Sequence, residues 1–448
     1  MSVDFQRIIR VTGGTAGEGT DMDRKFDLFT TDSRETPGNK ALFVAFKGER
    51  NDAHDYLDSV LLSDECGALI EDPKFLKANT VLVPSSRKAL QQIAADYRKN
   101  DIKDTVCIGI TGSVGKTTAK EMTVKCLSSG KTVSFTKGNR NSQVGLPRTV
   151  LEVPVGTQAA VFEMGMSLPG EMERIAVCAR PDIVMVINIG TSHIEAFGTR
   201  EKIRDEKLNI LKGMREGGKL IVNGDEPLLA CLPNAVKCGI DNPQNQVYAY
   251  NIRQDGLDTV FDVCLFGEHF NTRIGAIGRH MVYDALFAFA AGHFAGLSVE
   301  QMRTSLEEFS TVGDRQRIVE TDGVRVIADC YNASPESVSA ALDVLKGFEG
   351  RKIAVLGDML ELGEHSPSLH TRTGEKAREA GVDLLVCVGE QSKNTAFAFG
   401  VNSVCFGAEE GEKAAEYIKN TVSAGDTVLF KGSRGMKLET IMKKVFNI

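Results

Sequence analysis

Thr105-Val106-Cys107-Ile108-Gly109-Ile110-Thr111-Gly112-Ser113-Val114-Gly115-Lys116-Thr117-Thr118 is a β-branched, apolar run that breaks into glycines and ends on a lysine and two threonines. It reads as a strand, a phosphate loop and the start of a helix, because Ala119 to Leu127 carries apolar residues at helical spacing. Glycines let the backbone come close to phosphate, so that loop N–H groups and the helix N-terminus face the anion. Lys116 adds a positive charge and the Thr117 hydroxyl can ligate magnesium. The general pattern has a glycine five residues before Gly115, where this chain has Ile110, so the loop is a shortened form. Thr111, Gly112, Ser113, Val114, Gly115, Lys116, Thr117 and Thr118 are the candidate nucleotide-binding residues.

Outward from this loop, apolar strand signals recur at 159–162, 183–187 and 219–222, with helical stretches between them. Continuous apolar strands separated by helices imply a mostly parallel sheet covered on both faces. Ligands gather at the carboxyl ends of such strands, so the polar residues just after them carry the interest: Glu163, Asn188, His193, Asn223 and Asp225. Glu163 and His193 are candidate magnesium ligands facing Thr117, the glutamate being the better donor for a hard cation. A helix-start carboxylate and an ordinary loop histidine are the alternative readings. Lys207 reads by itself as an exposed helix lysine paired with neighbouring acids. A β-rich insert follows at 247–277, then a helix from Gly278.

Before residue 105 the chain reads as a small mixed α/β domain, with strands near 41–46 and 80–83 and a helix at 86–98. Its pointed segments are Asp32-Ser33-Arg34 and Lys47-Gly48-Glu49-Arg50-Asn51-Asp52-Ala53-His54-Asp55. Alone, these read as solvated turns. From about 313, strand signals at 324–328, 353–356, 384–388 and 427–430 alternate with helices, the pattern of a second doubly wound, Rossmann-like domain. Three apolar strands there open into polar loops, Asp329 to Pro335, Leu356 to Gly363 and Lys431 to Gly435, which together make one binding edge. The expected fold is therefore α/β with three domains: 1–104, a central phosphate-loop NTPase-like sheet domain at 105–312, and 313–448.

Composition sets bounds on partners. The 448 residues exceed what one core supports. A net charge of −7 argues against nucleic acid or an anionic membrane as partner. The ten cysteines show no Cys-x-x-Cys spacing and sit mostly in apolar runs, as buried reduced thiols of a cytoplasmic protein do. No signal-peptide core and no run of about 20 apolar residues is present, so no membrane span is expected. A monomer is expected.

The loop Thr-Gly-x-x-Gly-Lys-Thr-Thr resembles that of the Mur ligases, ATP-dependent amide-forming enzymes of peptidoglycan precursor synthesis. Glu163-Met164-Gly165 and the stretch from Asn188 to Gly198 resemble further segments of that family. Leu356-Gly357-Asp358-Met359-Leu360-Glu361-Leu362-Gly363 and Lys431-Gly432-Ser433-Arg434 resemble the branch that adds D-alanyl-D-alanine, and no Asp-Asn-Pro-Arg segment of the diamino-acid-adding branch is present. The resemblance implies a set of roles. Lys116, Glu163, His193 and Lys207 are catalytic, and Thr117, Glu163, His193 and Lys207 bind magnesium, Lys207 after carbamylation. Arg315 and Asp329 reach ATP from the C-terminal side. Ser33, Arg34, Lys47, Asn139, Asn141, Asn332, Asp358, Lys431, Ser433 and Arg434 bind the substrates, UDP-muramoyl-tripeptide and D-alanyl-D-alanine.

Five departures from the family pattern stand out. Met281 and Asp284 replace two asparagines near the adenine, and Asp284 is assigned to ATP as an acceptor for the exocyclic amine. Ser142 replaces an asparagine, while Glu206 and Asn209 flank Lys207 in place of alanine and glutamate. The implied reaction is transfer of the ATP γ-phosphate to the tripeptide carboxylate, followed by attack of the dipeptide amine. A ligase with another acceptor, of the folylpolyglutamate or cyanophycin type, and a phosphate-loop NTPase acting as a switch are the alternatives.

Overall fold

The computed structural model describes residues 3–48, 51–311 and 315–448. Glu49-Arg50, the boundary at 312/313 and the Gly313-Asp314 lead into Arg315 lie outside the described residues. Among the described residues no helix is long and apolar enough to cross a membrane.

The chain forms three principal sheets. The first runs Thr15–Ala16, Thr80–Leu82, Gly67–Ile70, Ala41–Val44, Leu28–Thr30, parallel except for the first pair. The strand Gly67–Ile70 is absent from the sequence reading. Its glycine is required by packing, since a Cβ there would sit 2.4 Å from the Phe5 ring and 2.8 Å from that of Phe26. The helix expected at 86–98 spans Ser86–Asn100, with Ser85 as its N-cap. It packs on Phe5–Thr12 and also on helices Gly145–Leu151 and Glu171–Ala179 of the central section. Buried Arg98 strengthens that joint, donating to the carbonyls of Ala179 and Ile102 and to the Asp182 carboxylate at 2.9 Å.

The second sheet has nine strands. Seven are parallel, from Val133–Phe135 through Ala159–Glu163, Val106–Thr111, Ile183–Val186, Lys219–Asn223 and Val236–Ile240 to Val247–Asp255. The expected β-rich insert is not a separate unit: Asp258–Leu265 and Glu268–Ile274 extend this sheet antiparallel. The register pairs Glu163 with Ile110 and Val186 with Thr111. Three strands therefore end level, and the phosphate loop, Glu163 and Asn188 emerge at one edge. Helix Lys116–Leu127 packs on Arg279–Phe294, a helix apolar nearly all round and buried through most of its length.

The third sheet has six strands in the order Arg317–Thr321, Val324–Ala328, Thr427–Lys431, Lys352–Gly357, Leu384–Val388, Ser403–Phe406, parallel apart from the first pair. Its three polar loops interlock: the Asp329 amide donates to Phe430, and the Ser433 amide donates to the Asp358 carbonyl at 3.1 Å.

Candidate functional site

A cavity of about 550 Å³ opens between the level strand ends of the central sheet and the loop edge of the C-terminal one. The phosphate loop forms one wall. Gly115 has φ +80°, a left-handed conformation suited to glycine, and hands the chain to the helix beginning at Lys116. The Asn188 side-chain oxygen accepts the amides of Ser113 and Val114, each at 2.9 Å, and its nitrogen donates to the Val114 carbonyl. This single asparagine fixes the loop.

Two lysines converge behind that wall. Lys116 Nζ donates to the Gly112 carbonyl at 2.8 Å, and buried Lys207 Nζ donates to the same oxygen at 3.0 Å. Burial pushes the Lys116 ammonium down, with Arg315 adding to the effect and Glu163 opposing it. Burial followed by repulsion from Lys116 holds Lys207 well below the ordinary lysine range. The reading of Lys207 as an exposed lysine is thus corrected: only 2% of it is exposed.

Glu163 is the hub of the opposite side. One carboxylate oxygen accepts the Thr117 hydroxyl at 2.8 Å and the other accepts the Asn141 amide at 2.8 Å, while its own amide donates to Thr136. Thr117 and Glu163 thus present adjacent hard oxygens to the cavity, a donor pair that fits magnesium. Of the expected metal set, Thr117, Glu163 and His193 line this one cavity. Among the described residues no three His, Cys, Asp or Glu side chains cluster as metal ligands. His193 pairs with Glu361 at 2.6 Å, holding that carboxyl below its ordinary range, and Lys207 lies beneath the loop.

The facing wall comes from the C-terminal section. The Arg315 guanidinium stacks on Tyr331, 3.9 Å from the ring centre, and Arg434 approaches the same ring at 5.9 Å. Lys431 donates to the Asp329 carboxylate at 2.6 Å and to the Asn332 carbonyl. Arg315, Asp329, Asn332 and Lys431 all line the cavity, as do Asn139 and Asn141 from the central section. Asp284 also lines it, 5% exposed, its oxygens 3.7–3.8 Å from where a Gly115 Cβ would stand. Burial alone holds its carboxyl well above the ordinary range.

Other expected residues lie elsewhere. Asp358 is no free substrate ligand: its carboxylate accepts the amides of Ser392 at 2.7 Å and Glu390 at 3.0 Å. Ser433 is buried and accepts the Leu360 amide, and Arg434 pairs with Glu439. Ser33, Arg34 and Lys47 lie outside the cavity lining, with Arg34 clamped on Asp32 at 2.6 Å. Asp225 is taken up by the Ile240 amide and the Tyr283 hydroxyl.

Several working residues escaped the sequence reading. Glu336, in the first turn of helix Pro335–Lys346, accepts the Thr191 amide and hydroxyl and so ties the C-terminal section to the loop before His193. Arg148 donates to the Phe29 carbonyl at 2.9 Å and to Glu35 at 2.7 Å, joining the helix after the Asn139–Asn141 loop to the segment beside Ser33 and Arg34. A carboxylate just after Ser-Pro was the available signal for Glu336. Arg148 had none, because its partner is over a hundred residues away.

Comparison with known proteins agrees with this architecture. Residues 110–292 match the Mur ligase middle domain, and residues 314–434 match the Mur ligase glutamate ligase domain. The UDP-N-acetylmuramoyl-tripeptide–D-alanyl-D-alanine ligase of Bacillus subtilis is 36% identical, covering 92% of each chain. The enzyme of that name from Escherichia coli is 30% identical over 95% of each. MurF from Acinetobacter baumannii superposes with a TM-score of 0.92 at 28% identity, over 100% of this chain and 99% of its own. MurF ligase from Thermotoga maritima in complex with ADP superposes at 0.84, also with 28% identity, over 93% and 96%. With a phosphate loop, a facing three-loop edge and full-length relatives of one kind, the chain belongs to the Mur ligase family.

Proposed function

We propose that this chain is the ATP-dependent ligase that joins D-alanyl-D-alanine to UDP-N-acetylmuramoyl-tripeptide. The observation that carries the reading is one cavity lined both by the phosphate loop with Glu163 and by Arg315, Asp329 and Lys431. A nucleotide held on one wall thereby meets an acceptor site on the other. The names of the relatives that match along the whole chain, and the ADP in one of them, support the substrates and the nucleotide.

In this reading the terminal carboxylate of the tripeptide attacks the γ-phosphorus of ATP and ADP leaves, giving an acyl-phosphate. The amine of D-alanyl-D-alanine then attacks the acyl carbon, phosphate leaves and the amide forms. Such chemistry depends on positioning and charge neutralisation. Residues 111–118 cradle the phosphates through loop amides, with Lys116 moving from the Gly112 carbonyl to the transferred phosphate. Arg315 meets the phosphates from the opposite wall, and Asp329 and Asp284 hold the nucleoside. Thr117 and Glu163, with His193 and a carbamylated Lys207, would hold magnesium, which neutralises phosphate charge when bound. Lys207 suits carbamylation because its burial favours the neutral amine that adds to carbon dioxide. Asn139 and Asn141 orient the tripeptide. Asn332, Lys431, Ser433 and Arg434 shape the dipeptide side, with Asp358 bracing that loop. Ser33, Arg34 and Lys47 bind the uridine nucleotide. Closure of the two walls excludes water that would hydrolyse the acyl-phosphate.

The test supplies ATP, magnesium, UDP-muramoyl-tripeptide and D-alanyl-D-alanine and follows phosphate release. Release that requires both the tripeptide and the dipeptide is the expected result. Release indifferent to the dipeptide, or none at all, overturns the assignment.

A further inference from the structure

The edge of the C-terminal sheet, away from the cavity, holds two cysteines in register. Strand Ser403–Phe406 is the outermost, parallel to Leu384–Val388, and Cys405 lies directly opposite Cys387. In-register neighbours project from the same face, with strands about 4.8 Å apart. That separation falls within the Cα spacing of about 4.4–6.8 Å that a disulfide spans. The two differ in environment: Cys387 is buried and Cys405 is exposed.

We propose that Cys405 and Cys387 are a peroxide-oxidisable dithiol, Cys405 being the attacking sulfur and Cys387 the resolving one. Set opposite each other in the sheet, the Cys387 thiol favours the Cys405 thiolate and keeps its own proton. Lys393, on the covering helix Ser392–Phe399 and itself paired with Glu390 at 2.6 Å, adds a positive charge beside Cys405. The Asp358 charge acts on Cys387 in the opposite sense. Cys405 is held down to about 7, whereas burial pushes Cys107, Cys126 and Cys178 up to about 12. Reactivity follows thiolate character and access, and Cys405 has both.

The chemistry balances with hydrogen peroxide as oxidant. The Cys405 thiolate attacks one peroxide oxygen, the O–O bond breaks and hydroxide leaves, so sulfur becomes sulfenic acid while peroxide is reduced. The Cys387 thiol then attacks that sulfur, the S–S bond forms, the S–O bond breaks, and the oxygen leaves as water with the Cys387 proton.

The experiment treats the whole reduced protein with iodoacetamide at pH 7 and, separately, with hydrogen peroxide, and maps peptides without reductant. Cys231, the other exposed cysteine, is the internal reference. The larger thiolate fraction of Cys405 outweighs its lower intrinsic nucleophilicity, so Cys405 alkylation is expected to run several-fold faster than that of Cys231. Peroxide is expected to remove two hydrogens and link the Cys387 and Cys405 peptides. In Cys387→Ser the reaction is expected to stop at a Cys405 sulfenic acid that dimedone captures. Alkylation of Cys405 no faster than Cys231, or oxidation that leaves the two peptides unlinked in the parent protein, overturns the proposal.

Discussion

Glu163→Gln separates charge from shape at the hub of the site. The glutamine oxygen can keep accepting the Asn141 amide, and its new amide group can donate to Thr117, whose hydroxyl turns to receive it; both 2.8 Å contacts survive with altered polarity. The loss is confined to replacing charge-assisted bonds by neutral ones, about 1 kcal/mol of folding stability. The chemical step fares worse. A carboxylate beside Thr117 disappears from the proposed cation site, and Lys116 loses the charge that opposes its burial. Removing one such electrostatic partner costs about 3–4 kcal/mol, or roughly 10²–10³ in kcat. Phosphate release under saturating substrates, titrated with magnesium, reads this directly, with urea unfolding as the control. Asn141→Ala, which keeps the charge but removes one support, is expected to lose only about tenfold. Turnover within tenfold of the parent for Glu163→Gln, at an unchanged magnesium requirement, would refute the role given to this carboxylate.

Lys116→Ala is expected to abolish product while near-ultraviolet circular dichroism stays unchanged; an active variant removes the loop from the mechanism. Glu35→Ala leaves the Arg148 guanidinium short of its partner at the joint between the first two sections. It should cost about 1–3 kcal/mol in urea unfolding and raise KM for the UDP substrate but not for ATP; equal rises in both would contradict this. Asp284 carries a raised carboxyl pKa in the fold against an ordinary one when unfolded. Above about pH 4 the folded state therefore holds a proton that the unfolded state has released, and stability falls as pH rises towards the folded value. Asp284→Asn abolishes that slope, so its advantage in urea midpoint should widen from pH 4 to pH 7, and a constant difference would count against a buried neutral carboxyl.

What could be read from sequence was what is local. The strand, loop and helix around Gly115 follow one another within twenty-odd residues, and each announces itself by composition. Glu163 was legible because it leaves an apolar strand at the edge where ligands collect. Lys207 was not: its burial depends on Gly112, 95 residues earlier in the chain. Asp358 sits in a strongly patterned loop, yet its carboxylate is consumed by two amides that only the fold brings near. His193 looked like a ligand after a strand, and the structure gives it a carboxylate partner from another section. Gly67 shows the same limit in the fold, since only the convergence of two phenylalanine rings explains why a strand begins there.

The helix Ser86–Asn100 has a bearing on how members of this family can be recombined. A seam at residue 104 looks natural from composition, but Ala89, Leu90, Ile93, Ala94 and Tyr97 share one core with Leu146, Val150, Met172 and Ile175. A chimera cut after this helix would import half of a fitted surface from one parent and meet the other half from a second. Cut ahead of Ser85, the helix keeps its central-section partners, and its face toward Phe5, Ile8 and Leu42 is the one that must be refitted. The first section then meets a socket that stays with the central section, so an exchange asks for a match at one helix face and not at two.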